Sequence, residues 1–220
     1  MPLRLINVLP GLERYGQVDS NLLRLDCETA VLDEKYVALS HLWGRPQSNG
    51  RLCLNRRDVA MWMNCLDLRT LPKTFQDAVQ VTRDLGIRYL WIDTLCIVQD
   101  DMEDLQTQIQ HMEDVFRCAY VTISATCASG SADGFLKRTC KGTQYPPLFF
   151  ASKTDRLGSL YLREPIDDFK RDVEESALSR RGWIFQERAL SPRIIHFTEV
   201  QVYWECGEGV RCETLKKLYK

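Results

Sequence analysis

The strongest hydrophobic periodicity in the chain begins at Leu71-Pro72. Leu71, Phe75, Ala78, Val79 and Thr82 recur at helical spacing, while Gln76, Asp77, Gln80, Arg83 and Asp84 fill the opposite side. Proline suits a first helical turn, where its missing N–H has no intrahelical partner, and Gly86 supplies a stop. The pattern therefore predicts a helix from Leu71-Pro72 to the residue before Gly86. A second helix is expected over 103–118, with Leu105, Ile109, Met112 and Phe116 as its stripe and Asp100 and Glu103, three residues apart, as its cap. Between them, 88–93 is apolar on both faces, the pattern of a central strand covered by helices. Short apolar runs at 36–40 and 120–124 read as strands. The resulting strand–helix–strand–helix–strand order from 36 to 124 predicts a parallel sheet with right-handed crossovers.

The remaining segments are patterned more weakly. Residues 1–34 read as an irregular lead-in with extended pieces at 3–5 and 22–25. A short strand at 52–54 and a short helix within 56–69 follow the Pro/Ser/Asn/Gly loop at 45–50. A long loop is expected over 125–147, short strands at 148–151 and 159–162, and a polar stretch over 164–175. A helix is expected over 176–190, and a strand pair at 193–197 and 201–206. The expected fold class is α/β: a partly parallel sheet flanked by helices, with additional C-terminal antiparallel strands. The expected organisation is a lead-in over 1–35, one domain over 36–206 and a polar C-terminal tail over 207–220.

Composition narrows the function classes. The 220 residues suffice for one domain, and 45% hydrophobic with 27% charged residues is ordinary globular usage. Lys and Arg number 29 against 30 Asp and Glu, so no net field favours nucleic acid or an anionic membrane. Basic pairs such as Lys170-Arg171, Arg180-Arg181 and Lys216-Lys217 are short, scattered and expected on the surface. No apolar run approaches the roughly 18–20 residues of a membrane span. Residues 1–12 lack the pattern of a secretory leader, and no Asn-x-Ser/Thr occurs; a cytoplasmic location is expected. The nine cysteines are odd in number, spread out and free of Cys-x-x-Cys, and only three histidines accompany them. Neither a zinc site nor a disulfide framework is expected, and most thiols should be buried as small hydrophobes.

Three clusters carry candidate chemistry. Asp93 closes the apolar 88–93 strand, and ligands of open α/β sheets bind beyond the carboxyl ends of such strands. Ser40, His41 and Trp43 close the preceding parallel strand on the same rim. Asp93 can face a ligand or only shape its turn, and His41 can be catalytic or a buried structural imidazole. On a helix, Trp183, Gln186, Glu187 and Leu190 share a face, which sets the Glu187 carboxylate among apolar neighbours. Such a group must be paired, protonated or used, as a general base or a ribose-binding carboxylate. In Tyr203-Trp204-Glu205-Cys206, strand alternation puts Trp204 and Cys206 on one face, expected to be core. No Walker loop, Gly-x-Ser-x-Gly or His-Glu-x-x-His motif occurs.

Read in order, these segments resemble a fungal heterokaryon incompatibility (HET) domain. The resemblance runs through Tyr36-Val37-Ala38-Leu39-Ser40-His41-Leu42-Trp43-Gly44, Leu90-Trp91-Ile92-Asp93-Thr94-Leu95-Cys96-Ile97-Val98-Gln99 and Arg181-Gly182-Trp183-Ile184-Phe185-Gln186-Glu187-Arg188 to Tyr203-Trp204-Glu205-Cys206. It implies a programmed-cell-death effector in non-self recognition, working by self-association or through protein partners. A remote similarity to TIR domains implies a TIR/flavodoxin-like core for the sheet and the alternative function, a nucleotide glycohydrolase that would take NAD as a substrate and need no cofactor. Asp93 and Glu187 are then the candidate catalytic residues, and Ser40, His41, Trp43, Gln99, Gln186 and Arg188 the candidate ligand contacts. No metal ligand is expected. Two positions depart from the family pattern: Gln108 stands where Glu is frequent, and His41 where Tyr is common.

Overall fold

A computed structural model describes residues 2–10, 19–27, 34–45, 52–137, 148–151, 157–160, 167–213 and 217–218. Its strands are β1 (Arg4–Asn7), β2 (Leu22–Cys27), β3 (Tyr36–Ser40), β4 (Leu66–Asp67), β5 (Tyr89–Trp91), β6 (Val121–Ser124), β7 (Leu148–Ala151), β8 (Leu157–Leu160), β9 (Arg193–Phe197), β10 (Val202–Cys206), β11 (Gly209–Cys212) and β12 (Lys217–Leu218). The helices are α1 (Val59–Asn64), α2 (Lys73–Asp84), α3 (Asp93–Cys96), α4 (Met102–Cys118) and α5 (Gly182–Leu190). One sheet runs β12-β11-β10-β9-β6-β3-β5-β1-β2-β4, and β7 and β8 pair separately. The pairs β5–β3, β3–β6 and β6–β9 are parallel, and the flanking pairs antiparallel. In chain order the parallel core reads 2-1-3-4, the flavodoxin-like arrangement of doubly wound sheets.

The main elements form where the periodicity put them. All five residues of β3, all three of β5 and all four of β6 are buried, as helix-covered strands require. Helix α2 buries Phe75, Ala78 and Val79, and Gly86 leaves it at φ 69°, a conformation that disfavours side chains. On α4, Phe116 meets Trp91 of β5 edge-on with ring centroids 5.7 Å apart, and the Tyr36 hydroxyl of β3 donates to the Val115 carbonyl at 2.6 Å. These contacts fix α4 across both strands.

Several expectations are corrected. Asp101, not Asp100, caps α4, accepting from the Glu103 and Asp104 amides; Asp100 instead accepts from the Arg56 amide at 2.8 Å. Residues 52–54 make only an isolated bridge from Leu54 to Val98, and the 56–69 segment is a 3₁₀ turn, the short α1 and β4. Helix α5 starts at Gly182 rather than 176, because the Ser176 and Ser179 hydroxyls fold back onto the Val173 carbonyl at 2.7 and 2.6 Å and hold a turn. The lead-in and tail are not outside the sheet: β1 and β2 extend it beyond β5, and β11 and β12 beyond β10. The tail pairing follows from a two-residue loop, Gly207-Glu208, closed by Cys206 opposite Gly209 at φ 116°.

On β10 it is Tyr203 and Glu205 that are buried, while Trp204 and Cys206 are half-buried. Phe169 packs on Tyr203 and Arg188 pairs with Glu205, so the polar-looking face is the covered one. Among the described cysteines, only Cys96 and Cys212 are buried, and Cys65 and Cys118 are exposed. Cys140 and parts of the expected 45–50 and 125–147 loops, as well as 161–162 of the expected 159–162 strand, lie outside the described residues.

Arg4 ties the first strand to the site-bearing end of the fold. Its guanidinium donates to both Asp104 carboxylate oxygens, at 2.6 and 3.1 Å, and to the Cys96 carbonyl at 2.9 Å. Asp104 also accepts from the Val98 amide at 2.8 Å, so one carboxylate holds β1, the 96–98 turn and α4 together. Replacing Arg4 with Ala leaves that largely buried carboxylate without its cation and is expected to cost about 2–3 kcal/mol, read as a lower urea midpoint at unchanged slope; an unchanged midpoint would count against the tie.

Candidate functional site

In the 2-1-3-4 core the chain leaves β3 towards β5 and later crosses to β6 on the other side, so the order in which strands are added reverses between β3 and β6 while the strands stay parallel. That is where doubly wound folds place ligands, beyond the carboxyl ends of the strands. Ser40 is the last residue of β3, with His41 and Trp43 just beyond it, and Asp93 opens α3 two residues after β5. From one side Leu105, Ile109 and Met112 of α4 approach, from the other Arg181, Trp183, Ile184 and Glu187 at the start of α5. Together with His41, Trp43, Asp93, Ile97 and Gln99 they enclose a cavity of about 270 Å³. Helices α4 and α5 also pack directly against each other.

Asp93 is held by its own surroundings. Its Oδ2 accepts the Trp43 indole N–H at 2.7 Å and its Oδ1 accepts the Thr94 amide at 2.7 Å. The two readings left open for Asp93 thus coincide: it shapes the turn and also faces the cavity. Gln99 supports the same turn, donating to the Ile97 carbonyl at 3.1 Å and the Asp93 carbonyl at 3.3 Å.

Glu187 is placed differently. Burial drives its carboxyl from the usual 4.5 to about 7, with the nearby Asp93 charge adding to the shift, while a hydrogen bond from the Ser40 hydroxyl and the Arg181 cation oppose it. Its Oε2 is closed off from solvent and has no hydrogen-bond partner among the described residues. A carboxyl that titrates near neutrality can hold a proton or a charge as the bound molecule demands. His41 is 4% exposed and packs edge-on against Phe75 with ring centroids 5.1 Å apart. Burial lowers its pKa below 6.5, Asp93 opposes this and Arg181 reinforces it, so the ring is neutral at pH 7; its Nε2 has no partner among the described residues.

Five of the eight candidate residues therefore line one cavity: His41, Trp43, Asp93, Gln99 and Glu187. Ser40 reaches it through Glu187. Gln186 does not, because it lies on the exposed side of α5. Arg188 faces elsewhere: its guanidinium grips both Glu205 oxygens at 2.8 and 3.0 Å, beside His196, and lies over the Phe169 ring. Adjacent residues on a helix point about 100° apart, and that separation divides Glu187 from Arg188. Sequence reasoning passed over Arg181 and Trp183 as site residues, although both stand in the same motif block as Glu187. Gln108, on the α4 face between Leu105 and Met112, is 2% exposed, and its amide nitrogen has no partner among the described residues. Among the described residues no group of three or more His, Cys, Asp or Glu is placed to hold a metal ion, and no helix is long and apolar enough to cross a membrane.

No curated protein and no solved structure matches the chain. A family model does: the one described as heterokaryon incompatibility protein (HET) matches residues 36–187. The matched span begins at β3, contains the Asp93 turn and α4, and ends on Glu187, so it contains every residue that lines the cavity. It covers well over half of the 220 residues, and the chain belongs to the heterokaryon incompatibility family.

Proposed function

We propose that this domain serves heterokaryon incompatibility as a cytoplasmic programmed-cell-death effector, and that it acts as a glycohydrolase on the N-ribosyl bond of a nucleotide such as NAD. The observation that carries this reading is Glu187: a carboxyl with a neutral-range pKa and an unpartnered oxygen, in a cavity walled by an indole. Trp43 offers its face to a nicotinamide ring, and Asp93 fixes the indole through its N–H. Asp93 is accordingly a positioning residue rather than the reacting acid.

The chemistry suits one reactive carboxylate. In NAD the bond between ribose C1′ and the pyridinium nitrogen breaks, and its electron pair leaves with nicotinamide. The C1′ cation is stabilised by the ionised Glu187 carboxylate, which then accepts a proton from the attacking water as the new C1′–O bond forms. The products are nicotinamide, ADP-ribose and a proton. The apolar wall of Leu105, Ile109 and Met112 lowers the local dielectric, which strengthens the carboxylate's hold on the cation.

Self-association is a second reading with its own observation. Trp183 and Phe185 at the start of α5 are 61% and 75% exposed, an unusual display of aromatic surface beside the cavity. A second copy of the chain is the partner this reading commits to.

Three measurements test the enzyme reading. Purified protein incubated with NAD should release nicotinamide, and Glu187→Gln should reduce the rate about 100-fold or more while keeping the native circular dichroism. The wild-type rate should rise with pH through about 7 and then level, because the charged carboxylate is the active form. No release from folded wild-type protein would refute the enzyme reading.

The same carboxyl makes a stability prediction. Its folded pKa lies above its unfolded value, so between about 4.5 and 7 the folded state keeps a proton that the unfolded state has lost, and stability falls as pH rises through that window. Glu187→Gln should therefore be more stable than wild type at pH 8, by about 1–3 kcal/mol, and nearly equal to it at pH 4.5. Parallel stability profiles for the two proteins between pH 4.5 and 8 would mean that the carboxyl is not held as described.

For self-association, light scattering should show a mass that grows with wild-type concentration and stays monomeric for Phe185→Ser. A wild type that remains monomeric at all concentrations yet still kills cells would remove the second reading.

A further inference from the structure

The cavity that contains Glu187 is smaller than the molecule proposed to be cut in it. At about 270 Å³ it lies below the roughly 300 Å³ at which pockets begin to enclose drug-sized ligands, so a whole dinucleotide must extend through its mouth. Of the residues that line it, Ile109, Arg181 and Trp183 are exposed, and they form that mouth. We propose that the mouth binds the diphosphate and the adenine of the dinucleotide, with Arg181 on the phosphates and Trp183 against the purine. The inference rests on the glycohydrolase reading for the identity of the ligand, and on the rim itself for the contacts.

Charge lies along the cavity in the order such a ligand carries it. The acids Asp93 and Glu187 are less exposed than the rim, and Arg181, on the rim, is the only lysine or arginine among the lining residues. Nicotinamide in the dinucleotide is a pyridinium cation, and the diphosphate is anionic. A molecule that enters with its cationic ring inward therefore leaves its anionic part beside the guanidinium. The acids do not use this guanidinium up. Asp93 is engaged by the Trp43 indole and the Thr94 amide, and Glu187 by the Ser40 hydroxyl. Arg188 is held by Glu205 and Glu174, whereas Arg181 makes no salt bridge among the described residues. Its charge still reaches the site, favouring the ionised form of Glu187 and the neutral form of His41. The main chain at Arg181 is fixed: its amide donates to the Leu178 carbonyl at 3.2 Å and its carbonyl accepts the Ile184 amide at 3.1 Å.

Trp183 supplies the second contact. It stands one turn before Glu187 on the same face of α5, about 6 Å along the helix axis. The cavity thus has two indoles, Trp43 within it and Trp183 at its edge, for a ligand with two aromatic rings. Ile109 of α4, 50% exposed, continues the apolar rim opposite. A flat base laid there covers surface that otherwise stands in water, and such stacking tolerates any base. Phe185, two residues on, lines a different hollow beside Phe169 and Arg188, so the self-association reading keeps a residue of its own.

Three substrates share the scissile bond and differ only in what lies beyond it: nicotinamide riboside, nicotinamide mononucleotide and NAD. Nicotinamide release is compared at about pH 9, where Glu187 is ionised with or without Arg181 beside it. In wild type kcat/KM should rise at each step. Arg181→Ala should shrink the preference for the mononucleotide over the riboside about tenfold, and Trp183→Ala the preference for NAD over the mononucleotide about fivefold. Equal kcat/KM for all three substrates in wild type, or a loss in Arg181→Ala by one common factor, overturns the proposal. A Trp183→Ala protein that changes its mass in light scattering but keeps its preference removes Trp183 from the site. Calorimetry with ADP-ribose needs no turnover: binding should weaken about tenfold in Arg181→Ala and recover in part in Arg181→Lys. If ADP-ribose fails to bind wild type, the mouth site is refuted whatever the activity. If it binds in an Arg181-dependent way but no substrate releases nicotinamide, the glycohydrolase reading falls and the nucleotide site stands.

Discussion

The hydrogen bond from the Trp43 indole to Asp93 joins the ends of two neighbouring parallel strands, and most of what is distinctive about this domain depends on it. An indole at the edge of a sheet is free to swing about its side-chain torsions. The carboxylate stops this with a charge-assisted bond in a partly buried setting. The same carboxylate terminates β5 by accepting the Thr94 amide, which starts the short α3. The negative charge thus fixed in place contributes to the raised pKa of Glu187, so one side chain sets the wall, the turn and part of the electrostatics.

The rest of the architecture supplies rigidity to that corner. Arg4 and Asp104 anchor the turn that follows Asp93, although Arg4 belongs to a strand added outside the parallel core. Trp91 and Phe116 lock α4 onto β5, and α4 forms the apolar wall facing Glu187. Helix α5 is held from its other side, where Arg188 is clamped by Glu205 and stacked on Phe169. The two neighbours on α5 therefore do opposite work: Arg188 binds the helix to the C-terminal strands, and Glu187 is presented, at a cost in solvation, to the cavity. Sites that hold a group in an unfavourable ionisation environment require such external support.

Legibility in the sequence followed the strength of the local signal. β3, α2, β5, α4 and β6 carry long periodic or continuously apolar patterns, and the parallel order came from their alternation. Asp93 and Glu187 could be paired in advance because each is a carboxylate beside apolar residues, one at a strand end and one on a helix. The failures share a cause. Arg188 stands in the same motif as Glu187, but only the tertiary position of Glu205 decides that it faces away. Tyr203 and Glu205 look like a surface face until Phe169, Asp172 and Arg188 cover them. The Asp100 cap lost to Asp101 by one residue, a distinction set by the Arg56 amide 44 residues away. β11 is too short for its alternation to stand out from the loop around it.

Gln108 shows how a family position can change its meaning without disturbing the fold. On α4 it lies between two residues that line the Glu187 cavity, at a position where the family resemblance leads one to expect Glu. A carboxylate buried at that point would add a third acid to a space that already contains two, and like charges that close cannot all ionise. With the neutral amide, the carboxyl that titrates near pH 7 is Glu187, whose charge is favoured only by the Ser40 hydroxyl and the Arg181 cation against its burial and the Asp93 charge. In this chain, then, the negative charge of the site is concentrated on α5 and the Asp93 turn, and α4 contributes an apolar wall with one amide behind it.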